Sequence, residues 1–242
     1  MNNTTWKLAT LNIKGMNDPA KFDDIMEWTI ENNIDLIILS ETKINQTNAF
    51  FKFQKYQKNY KSLWTLDDGA PKGTGVGLII KKNTIGKHIY KNNFLKGRAI
   101  NLRLKLKGKI DISISGIYGP ADHSDKESKE QTLNFIKQNI LTSPNKHNIV
   151  IGDLNEDPNN HSNCPIINLL TNKNLYPTQY QDEEAYTWQN SQGTKRLLDH
   201  IYLSAEFLDI QTIFNIEQVF HFLQTDHKAP TCEVNISHFS NS

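Results

Sequence analysis

Residues Ile34 to Thr42 have the sequence IDLIILSET, and this stretch decides the class of fold. The apolar run from Ile34 to Leu39 is short, continuous and bounded by polar residues, which is typical of a strand covered on both faces. Asp35 lies near the start of that strand, and Glu41 follows its end. The segment therefore predicts a buried sheet with further layers packed on it, and a carboxylate at one edge of the sheet.

Helical and extended patterns are mixed along the rest of the chain. The predicted strands are residues 7–13, 34–39, 78–80, 100–106, 110–114, 148–151, 185–189, 197–203, 212–220 and 231–236. The predicted helices are residues 20–32, residues 124–140 and a segment that begins near Pro165. Alternation between residues 100 and 114 predicts a hairpin that turns at Gly108-Lys109, with one apolar face and one solvated basic face. We therefore expect an α/β sandwich of two stacked sheets with helices outside.

Two apolar groups are assigned to the core from their positions. The first predicted helix presents one apolar face, formed by Phe22, Ile25, Met26 and Ile30. The aromatic residues between Phe50 and Tyr60 either stack on nucleic-acid bases or pack inside the protein. We expect them to pack in the core.

Length and composition limit the classes of function. The 242 residues fit one compact domain, taken as residues 1–242, with 37% hydrophobic and 22% charged residues. No apolar run approaches the roughly 18 residues of a membrane helix, and no signal or transit peptide is visible, so an intracellular location is expected. Two cysteines are too few for a disulfide scaffold or a cysteine-rich zinc site. The balance of 27 basic and 26 acidic residues disfavours a protein that coats nucleic acid by charge alone.

Polar side chains recur at the ends of the predicted strands. These candidates are Asn12, Glu41, Tyr118, Asp153, Asn155, Asp199, Asp226 and His227. In α/β folds such strand ends collect ligands and catalytic groups. Each residue alone has a structural alternative as a turn former, a helix cap or a buried histidine. Together they match the requirements of phosphodiester cleavage.

Oxygen ligands in this set predict a magnesium site. Magnesium often takes only one or two carboxylates and leaves other positions to water and to phosphate. Glu41 is the first candidate ligand, and Asn12 and Asp226 are the further metal contacts. The bound ion would polarise a phosphoryl oxygen. Asn12 and Asn155 would place neutral amides near the phosphate without repelling it.

His227 is the candidate imidazole of the site. The adjacent Asp226 is poorly placed to orient it, because neighbouring residues of an extended chain point to opposite faces. We therefore expect Asp199, on another strand, to fix the imidazole and to favour its protonated form. Asp153 is expected to orient the attacking water.

Seven short strings occur in an order that resembles a known superfamily. They are Leu11-Asn12-Ile13, Ser40-Glu41-Thr42, Ile117-Tyr118-Gly119-Pro120, Gly152-Asp153-Leu154-Asn155, Tyr186-Thr187-Trp188, Leu198-Asp199-His200 and Thr225-Asp226-His227. Together they resemble the exonuclease-endonuclease-phosphatase superfamily. The resemblance implies a four-layer α/β/β/α sandwich of two mixed sheets flanked by helices, as in deoxyribonuclease I-like enzymes. It also implies Glu41 as metal ligand, Tyr118, Asn155 and Thr187 near the phosphate, and Asp199 paired with His227.

Within that superfamily the chain is most similar to endonuclease domains of non-LTR retrotransposons, through residues 118–120 and 187–199. The resemblance implies a metal-dependent endonuclease that nicks one strand of duplex DNA and leaves a 3' hydroxyl. Magnesium would be the cofactor, with manganese as a substitute, and a monomer is expected. A retrotransposon origin would imply a nuclear location. Asn190, Lys195 and Arg196 are expected to contact DNA, although residues 190–193 are equally explained as a hairpin turn.

Two alternatives stay open at the level of sequence. A phosphomonoesterase or lipid phosphodiesterase on the same fold would use the same residues around its phosphate. A catalytically silent nucleic-acid-binding module is disfavoured, because every expected functional group is present.

Overall fold

The structure is a computed structural model, which describes residues 5–16, 18–69, 73–85, 89–106, 111–122, 124–141, 147–159, 163–178, 185–208 and 213–236. Its strands are β1 (Thr5–Asn12), β2 (Leu36–Ser40), β3 (Tyr60–Thr65), β4 (Val76–Lys81), β5 (Ile89–Leu95), β6 (Ala99–Lys105), β7 (Asp111–Tyr118), β8 (His147–Asp153), β9 (Leu175–Pro177), β10 (Trp188–Gln189), β11 (Lys195–Arg196), β12 (Asp199–Ser204), β13 (Ile213–Glu217) and β14 (Ala229–Asn235). Its α-helices are α1 (Pro19–Glu31), α2 (Gln46–Phe53), α3 (Lys82–Ile85), α4 (Lys126–Ile136) and α5 (Pro165–Thr171). A π-helical turn, Lys137–Leu141, continues α4, and short 3-10 turns lie at Gln54–Tyr56 and Ala205–Phe207.

Two mixed sheets of six strands each form the centre of the fold. The first has the strand order β13-β14-β1-β2-β4-β3, and the second has the order β5-β6-β7-β8-β12-β9. Each contains one parallel pair, β1 with β2 and β7 with β8, while the other neighbours are antiparallel. The parallel pairs matter for function, because both of their members end at the same edge of the sheet.

Three apolar clusters divide the molecule into four layers. The first cluster joins the facing sides of the two sheets and includes Leu8, Ile38, Ile114 and Ile151. The second lies between the first sheet and helices α1 and α2, and the third lies between the second sheet and helices α4 and α5. The fold is therefore the predicted α/β/β/α sandwich. In the part of the chain that the structure describes, no helix is both long and apolar enough to cross a membrane.

The ends of the helices follow from local chemistry. Helix α1 begins with Pro19 after Asp18, whose Oδ1 accepts a hydrogen bond from the amide of Ala20 at 2.9 Å. Helix α5 begins at Pro165, as predicted, although its N-cap is Cys164, whose side chain makes no capping bond. A distant carboxylate does this instead, because the two oxygens of Glu156 accept the first free amides of α5.

The expectation that the basic face of the β6–β7 hairpin is solvated holds for Lys105, which is exposed, but is wrong for Asn101 and Arg103. Asn101 is fully buried, and its Nδ2 donates to the hydroxyls of Ser113 and Ser115, each at 2.8 Å. Arg103 donates from Nη2 to the carbonyl of Asn139, in the π-helical turn that follows α4. Helix α4 and its extension therefore cover the part of this face around Asn101 and Arg103. The predicted turn at Gly108-Lys109 lies outside the described residues.

Exposed apolar side chains correct two further expectations. Ile30 is 47% exposed, because the face that α1 buries is centred on residues 22–29 and Ile30 lies at its margin. Phe50 and Phe51 are 50% and 66% exposed and contact each other edge to face. Helix α2 has only eight residues and buries Ala49 and Phe53, four positions apart, so the two phenylalanines lie on its outer side.

Candidate active site

The ends of four strands, two from each sheet, meet at one edge of the sandwich. Asn12 pairs in parallel register with Ser40, so Glu41 follows directly beside it. In the second sheet, Tyr118 pairs with Asp153, and Asp153 pairs with the first residue of β12, Asp199. A hydrogen bond from Nδ2 of Asn12 to Oδ2 of Asp153, at 2.8 Å, connects the two sheets. The fold thus brings together residues that are more than a hundred positions apart.

His227 and Asp199 form a buried pair within this edge. Nδ1 of His227 lies 2.7 Å from Oδ2 of Asp199, and the two residues are 5% and 0% exposed. Asp226, the next residue in the chain, approaches the other side of the ring, with its Oδ1 at 3.8 Å from Nε2. With Nδ1–H donating to Asp199, Nε2 is the ring atom that remains for a substrate or a water.

Electrostatics make His227 a cation at neutral pH. Burial alone would lower the pKa of His227, but the charge and the hydrogen bond of Asp199 overcome it and raise the pKa to about 9. Burial and the neighbouring charge of Asp199 raise the pKa of Asp153 to about 7. A carboxyl with a pKa near 7 exchanges protons readily at physiological pH.

Glu41 is held in an uncommon backbone conformation. Its φ is 54° and that of Lys43 is 53°, and Nζ of Lys43 lies 2.8 Å from Oε1 of Glu41. The amides of Thr42 and Lys43 donate to the carbonyls of Gly75 and Thr74, each at 3.1 Å. Left-handed conformations of residues other than glycine are costly and persist where the surroundings fix them. The loop of Thr74 and Gly75 supplies that support here.

Gly75 has to be glycine for this contact. Its φ is 107°, and a Cβ atom built on it would lie 2.4 Å from Oγ1 of Thr42 and 2.7 Å from the amide nitrogen of Lys43. No side chain fits this space. The glycine-spaced segment of the sequence therefore determines where Glu41 is held.

Tyr118 connects the Glu41 side of the site with the Asp153 side. Burial raises the pKa of its phenol, and the charges of Asp153 and Glu41 raise it further, with a hydrogen bond to Glu41. The guanidinium carbon of Arg98 lies 5.1 Å from the centre of the ring. Tyr118 is 3% exposed and stays protonated, so it is a hydrogen-bond donor. Glu41 and the Asp199–His227 pair therefore belong to one site.

Asn155 completes the strand-end loop of β8. Its φ is 52°, and its amide nitrogen donates to Oδ1 of Asp153 at 2.9 Å. Its Nδ2 donates to the carbonyl of Gly119 at 2.8 Å, which ties the loop to the end of β7. One N–H and the carbonyl oxygen of the amide remain for other partners.

Comparison with known proteins identifies the family. A model of the endonuclease/exonuclease/phosphatase family matches residues 9–227. The chain belongs to this family. The matched region contains every strand end described above. The family generally depends on divalent metal ions.

Solved structures share the fold at low sequence identity. The 3'-5' exonuclease NExo from Neisseria meningitidis superposes with a TM-score of 0.74 at 16% identity, covering 95% of this chain and 99% of that chain. An AP endonuclease from Archaeoglobus fulgidus gives a TM-score of 0.73 at 15% identity and covers 94% and 98%. The endonuclease domain of TRAS1, a telomere-specific non-LTR retrotransposon, gives 0.69 at 10% identity and covers 96% and 99%. Another structure of the Neisseria protein, described as a 3' phosphatase, contains a product DNA hairpin.

Thr187 lies beneath the site of this family member and not on its surface. It is fully buried, and its Oγ1 accepts hydrogen bonds from the amides of Leu198 and Asp199, each at 3.0 Å. The expected contact of Thr187 with substrate is therefore corrected. Its hydroxyl fixes the start of β12, and so the position of Asp199.

The β10–β11 hairpin contains the residues expected to contact DNA. Oδ1 of Asn190 accepts hydrogen bonds from the amides of Gln192 and Thr194, so this side chain shapes the turn. Lys195 is exposed, and Arg196 is half-buried in β11, paired with Trp188. The predicted turn at residues 190–193 is confirmed, and the contact with DNA stays a prediction.

Four residues that sequence reasoning did not select belong to this site. Nζ of Lys14 lies 3.0 Å from Oδ2 of Asp226, and Nε1 of Trp188 donates to the same oxygen at 2.9 Å. The ring of Tyr186 has the Nζ atom of Lys228 at 3.4 Å and that of Lys195 at 4.5 Å from its centre. Lys14 directly follows the string Leu11-Asn12-Ile13, and Lys228 directly follows Thr225-Asp226-His227. Their position next to these strings could have indicated that they lie at the site.

The donor set at Glu41 fits a divalent cation. Glu41 supplies carboxylate oxygens and the neighbouring Asn12 supplies an amide oxygen, and these are the ligands that magnesium prefers. Asn12 keeps one lone pair of its Oδ1, whose other partner is the amide of Lys14 at 3.0 Å. A second group, formed by Asp153, Asp199 and His227, has ligand atoms within 4.8 Å of one another. Nδ1 of His227, Oδ2 of Asp199 and both oxygens of Asp153 already take part in the hydrogen bonds described above, so we assign this group to proton chemistry.

Proposed function

We propose that this chain is a magnesium-dependent phosphodiesterase that nicks one strand of duplex DNA and leaves a 3' hydroxyl. The observation that carries the proposal is the connection of the Glu41 carboxylate to the buried Asp199–His227 pair through Tyr118 and Asp153. Manganese is expected to substitute for magnesium. The choice of a nicking endonuclease among the activities of the family follows the resemblance of residues 118–120 and 187–199 to retrotransposon endonucleases, and the TRAS1 domain is one such endonuclease with this fold.

Each side chain of the site has a separate role at a single phosphate. Asp153, with a pKa near 7, accepts the proton of the attacking water and orients it. His227, held protonated by Asp199, donates from Nε2 to a phosphoryl oxygen and stabilises the charge that grows there. Tyr118 donates its phenolic hydrogen to the same phosphate.

The amides and the metal ligands complete the arrangement. Asn155 uses its remaining N–H on the phosphate, while its bond to Gly119 keeps the side chain in place. Glu41 and Asn12 would hold the magnesium ion. When bound, that ion polarises a phosphoryl oxygen and stabilises negative charge.

DNA would run over the β10–β11 hairpin. Lys195 and Lys228 both lie against the ring of Tyr186, and Lys228 directly follows His227 in the chain. Ammonium groups at such positions bind backbone phosphates and set the position of a duplex without reading its sequence. A DNA hairpin is bound by the Neisseria relative, which supports DNA as the substrate class. If the substrate is the chromosomal DNA of a nucleated cell, the chain acts in the nucleus.

The proposal includes a single domain that acts as a monomer. All residues given a role come from one chain, and they come from both sheets and from both ends of the sequence.

A phosphatase that removes a 3' phosphate from DNA is the second candidate. The Neisseria relative is described both as a 3'-5' exonuclease and as a 3' phosphatase. The same residues around the phosphate serve both reactions. Contacts with the rest of the substrate, outside these residues, therefore decide between them.

The test is a nicking assay on supercoiled plasmid with the purified full chain. Nicking is expected with magnesium or manganese and is expected to stop when a chelator is added. Glu41→Ala and His227→Ala should each reduce it to background while thermal unfolding stays cooperative. Glu27→Ala and His221→Ala replace exposed residues of the same types and should keep full activity.

A substrate panel then separates the candidates. Plasmid, abasic duplex, RNA, 3'-phosphorylated DNA and an inositol phosphate are offered to the same preparation. Preference for plasmid supports the nicking endonuclease, and release of phosphate from 3'-phosphorylated DNA alone supports the second candidate. An intact plasmid at high protein concentration contradicts the endonuclease.

A further inference from the structure

One carboxylate oxygen of Asp226 accepts two hydrogen bonds. Its Oδ2 accepts from Nζ of Lys14 at 3.0 Å and from Nε1 of Trp188 at 2.9 Å. Lys14 belongs to the loop after β1 and adopts a φ of 51°, so its reach to Asp226 depends on an uncommon backbone conformation. Trp188 is in β10, where it forms a bridge with His227. The carboxylate is therefore held by two different parts of the fold.

The other oxygen of Asp226 faces a cation. Oδ1 is buried, accepts no hydrogen bond from the described residues and lies 3.8 Å from Nε2 of His227. Burial would raise the pKa of Asp226, yet the bond from Lys14 and the charge of His227 lower it. The carboxylate is ionised, with an ammonium at one oxygen and an imidazolium at the other.

Glu41 differs from Asp226 in this respect. Its Oε1 has the ammonium of Lys43 at 2.8 Å, on a side chain that is 29% exposed. No imidazolium and no indole take up its oxygens among the described residues. At Glu41 an incoming divalent ion has to displace the ammonium of Lys43, while the other partner, the phenol of Tyr118, is neutral and does not repel it. At Asp226 it would stand beside Lys14 and the protonated His227, where like charges repel it.

We propose that Lys14 acts as a built-in cation at Asp226, in place of a metal ion, so that the site binds one divalent ion, at Glu41. The inference rests on the proposed metal-dependent function and names the number of ions and the residue that sets it. It argues against the expectation that Asp226 is a metal ligand. Lys14 is then a positioning residue, because it fixes the carboxylate that faces Nε2 of His227.

The test counts bound manganese ions on the full chain, by calorimetry and by electron paramagnetic resonance of the free ion. The unaltered protein should bind one ion. Asp226→Asn should also bind one, with an affinity within about threefold, since an amide of the same size removes the charge alone. Glu41→Gln should lose at least tenfold in affinity at that site. These readouts need no substrate and no turnover.

Lys14→Met separates this inference from a general effect of charge. The substitution keeps the length of the side chain and removes the ammonium, so Asp226 should acquire a second, weaker ion. Combining it with Asp226→Asn should return the count to one. Lys58→Met, at an exposed lysine outside the site, is the matched control and should keep one ion.

Two outcomes overturn the inference while metal dependence stands. One is two ions on the unaltered protein, of which Asp226→Asn removes one. The other is a single ion on Lys14→Met with unchanged affinity. Absence of any bound ion would overturn the inference together with metal dependence, and the plasmid assay would then be independent of chelator.

Discussion

Nδ1 of His227 donates to Oδ2 of Asp199 over 2.7 Å inside the protein, opposite the carboxyl of Asp153. The pair places a buried cation among three carboxylates, of which Asp153 and Asp199 come from the second sheet and Asp226 comes from a loop. A buried pair of this kind is costly to break, because the remaining partner is left charged and without compensation. The protonation of His227 therefore determines both the charge offered to a phosphate and part of the stability of the fold.

The metal-free protein should lose stability as the pH rises from about 6.5 to about 9. The pKa of His227 is raised to about 9 from an ordinary value of 6.5, so its stabilising contribution is complete below 6.5 and disappears through 9. The raised pKa of Asp153 acts in the same direction but at lower pH, between its ordinary value of 3.8 and about 7, because its ionisation is disfavoured in the folded state. Urea unfolding in chelator should show a loss on the order of 1–3 kcal/mol.

Asp199→Asn is the control for that pH dependence. Without the carboxylate the pKa of His227 should fall, and the free energy of unfolding should change less over the same interval. Proton resonances of the imidazole follow the pKa directly. An equal slope in the two proteins would contradict the assignment of the pH dependence to this pair.

Thr187 should matter for stability without touching the substrate. Thr187→Val keeps the shape and leaves the amides of Leu198 and Asp199 without their acceptor, at a cost of about 1–3 kcal/mol. Nicking should fall as well, because Asp199 loses its position. Thr187→Ser keeps the hydroxyl and should restore most of both. Unfolding midpoints in urea measure the first effect, and the result would be contradicted by a Ser variant as unstable as Val.

Sequence reasoning succeeded where register decides the geometry. The alternation of side chains on a strand disfavoured Asp226 as the orienting group, and the choice of Asp199 rested on its place on another strand and on the family resemblance. Parallel and antiparallel register then places Tyr118, Asp153 and Asp199 side by side. These relationships depend on the alternation of side chains along each strand, which can be recognised in the sequence.

Contacts that depend on loop conformation were not predictable in the same way. The left-handed residues of the strand-end loops are Lys14, Glu41, Lys43 and Asn155. None of them is glycine, and of the four only Asn155 is of a type that favours this conformation, so no propensity signals the one that directs Lys14 to Asp226, 212 positions away. The buried face of β6 was missed for a similar reason. A polar residue such as Asn101 is buried when partners on the neighbouring strand satisfy it, and those partners are known only from the register.

Gly75→Ala should disturb the loop that holds Glu41. Its added methyl group would lie 2.4 Å from Oγ1 of Thr42, so the loop has to move, at a cost of roughly 1–3 kcal/mol. Manganese affinity should fall at least tenfold. Gly73→Ala is the matched control, since Gly73 also has a positive φ, of 66°, but has open space around it. Equal losses in the two variants would show that backbone strain alone is responsible.

Lys228 and Lys195 should contribute to the salt dependence of DNA binding. If each contacts one backbone phosphate, replacing either with Met reduces the slope of log affinity against log salt by about 0.9. Binding of a fluorescent duplex in chelator, followed by anisotropy between low and moderate salt, measures that slope without cleavage. Lys58→Met is the control and should leave the slope unchanged. If the double variant Lys195→Met/Lys228→Met keeps the slope of the unaltered protein, the path of DNA over the Tyr186 ring is wrong. A loss of about two counterions would support the duplex crossing the β10–β11 hairpin next to His227.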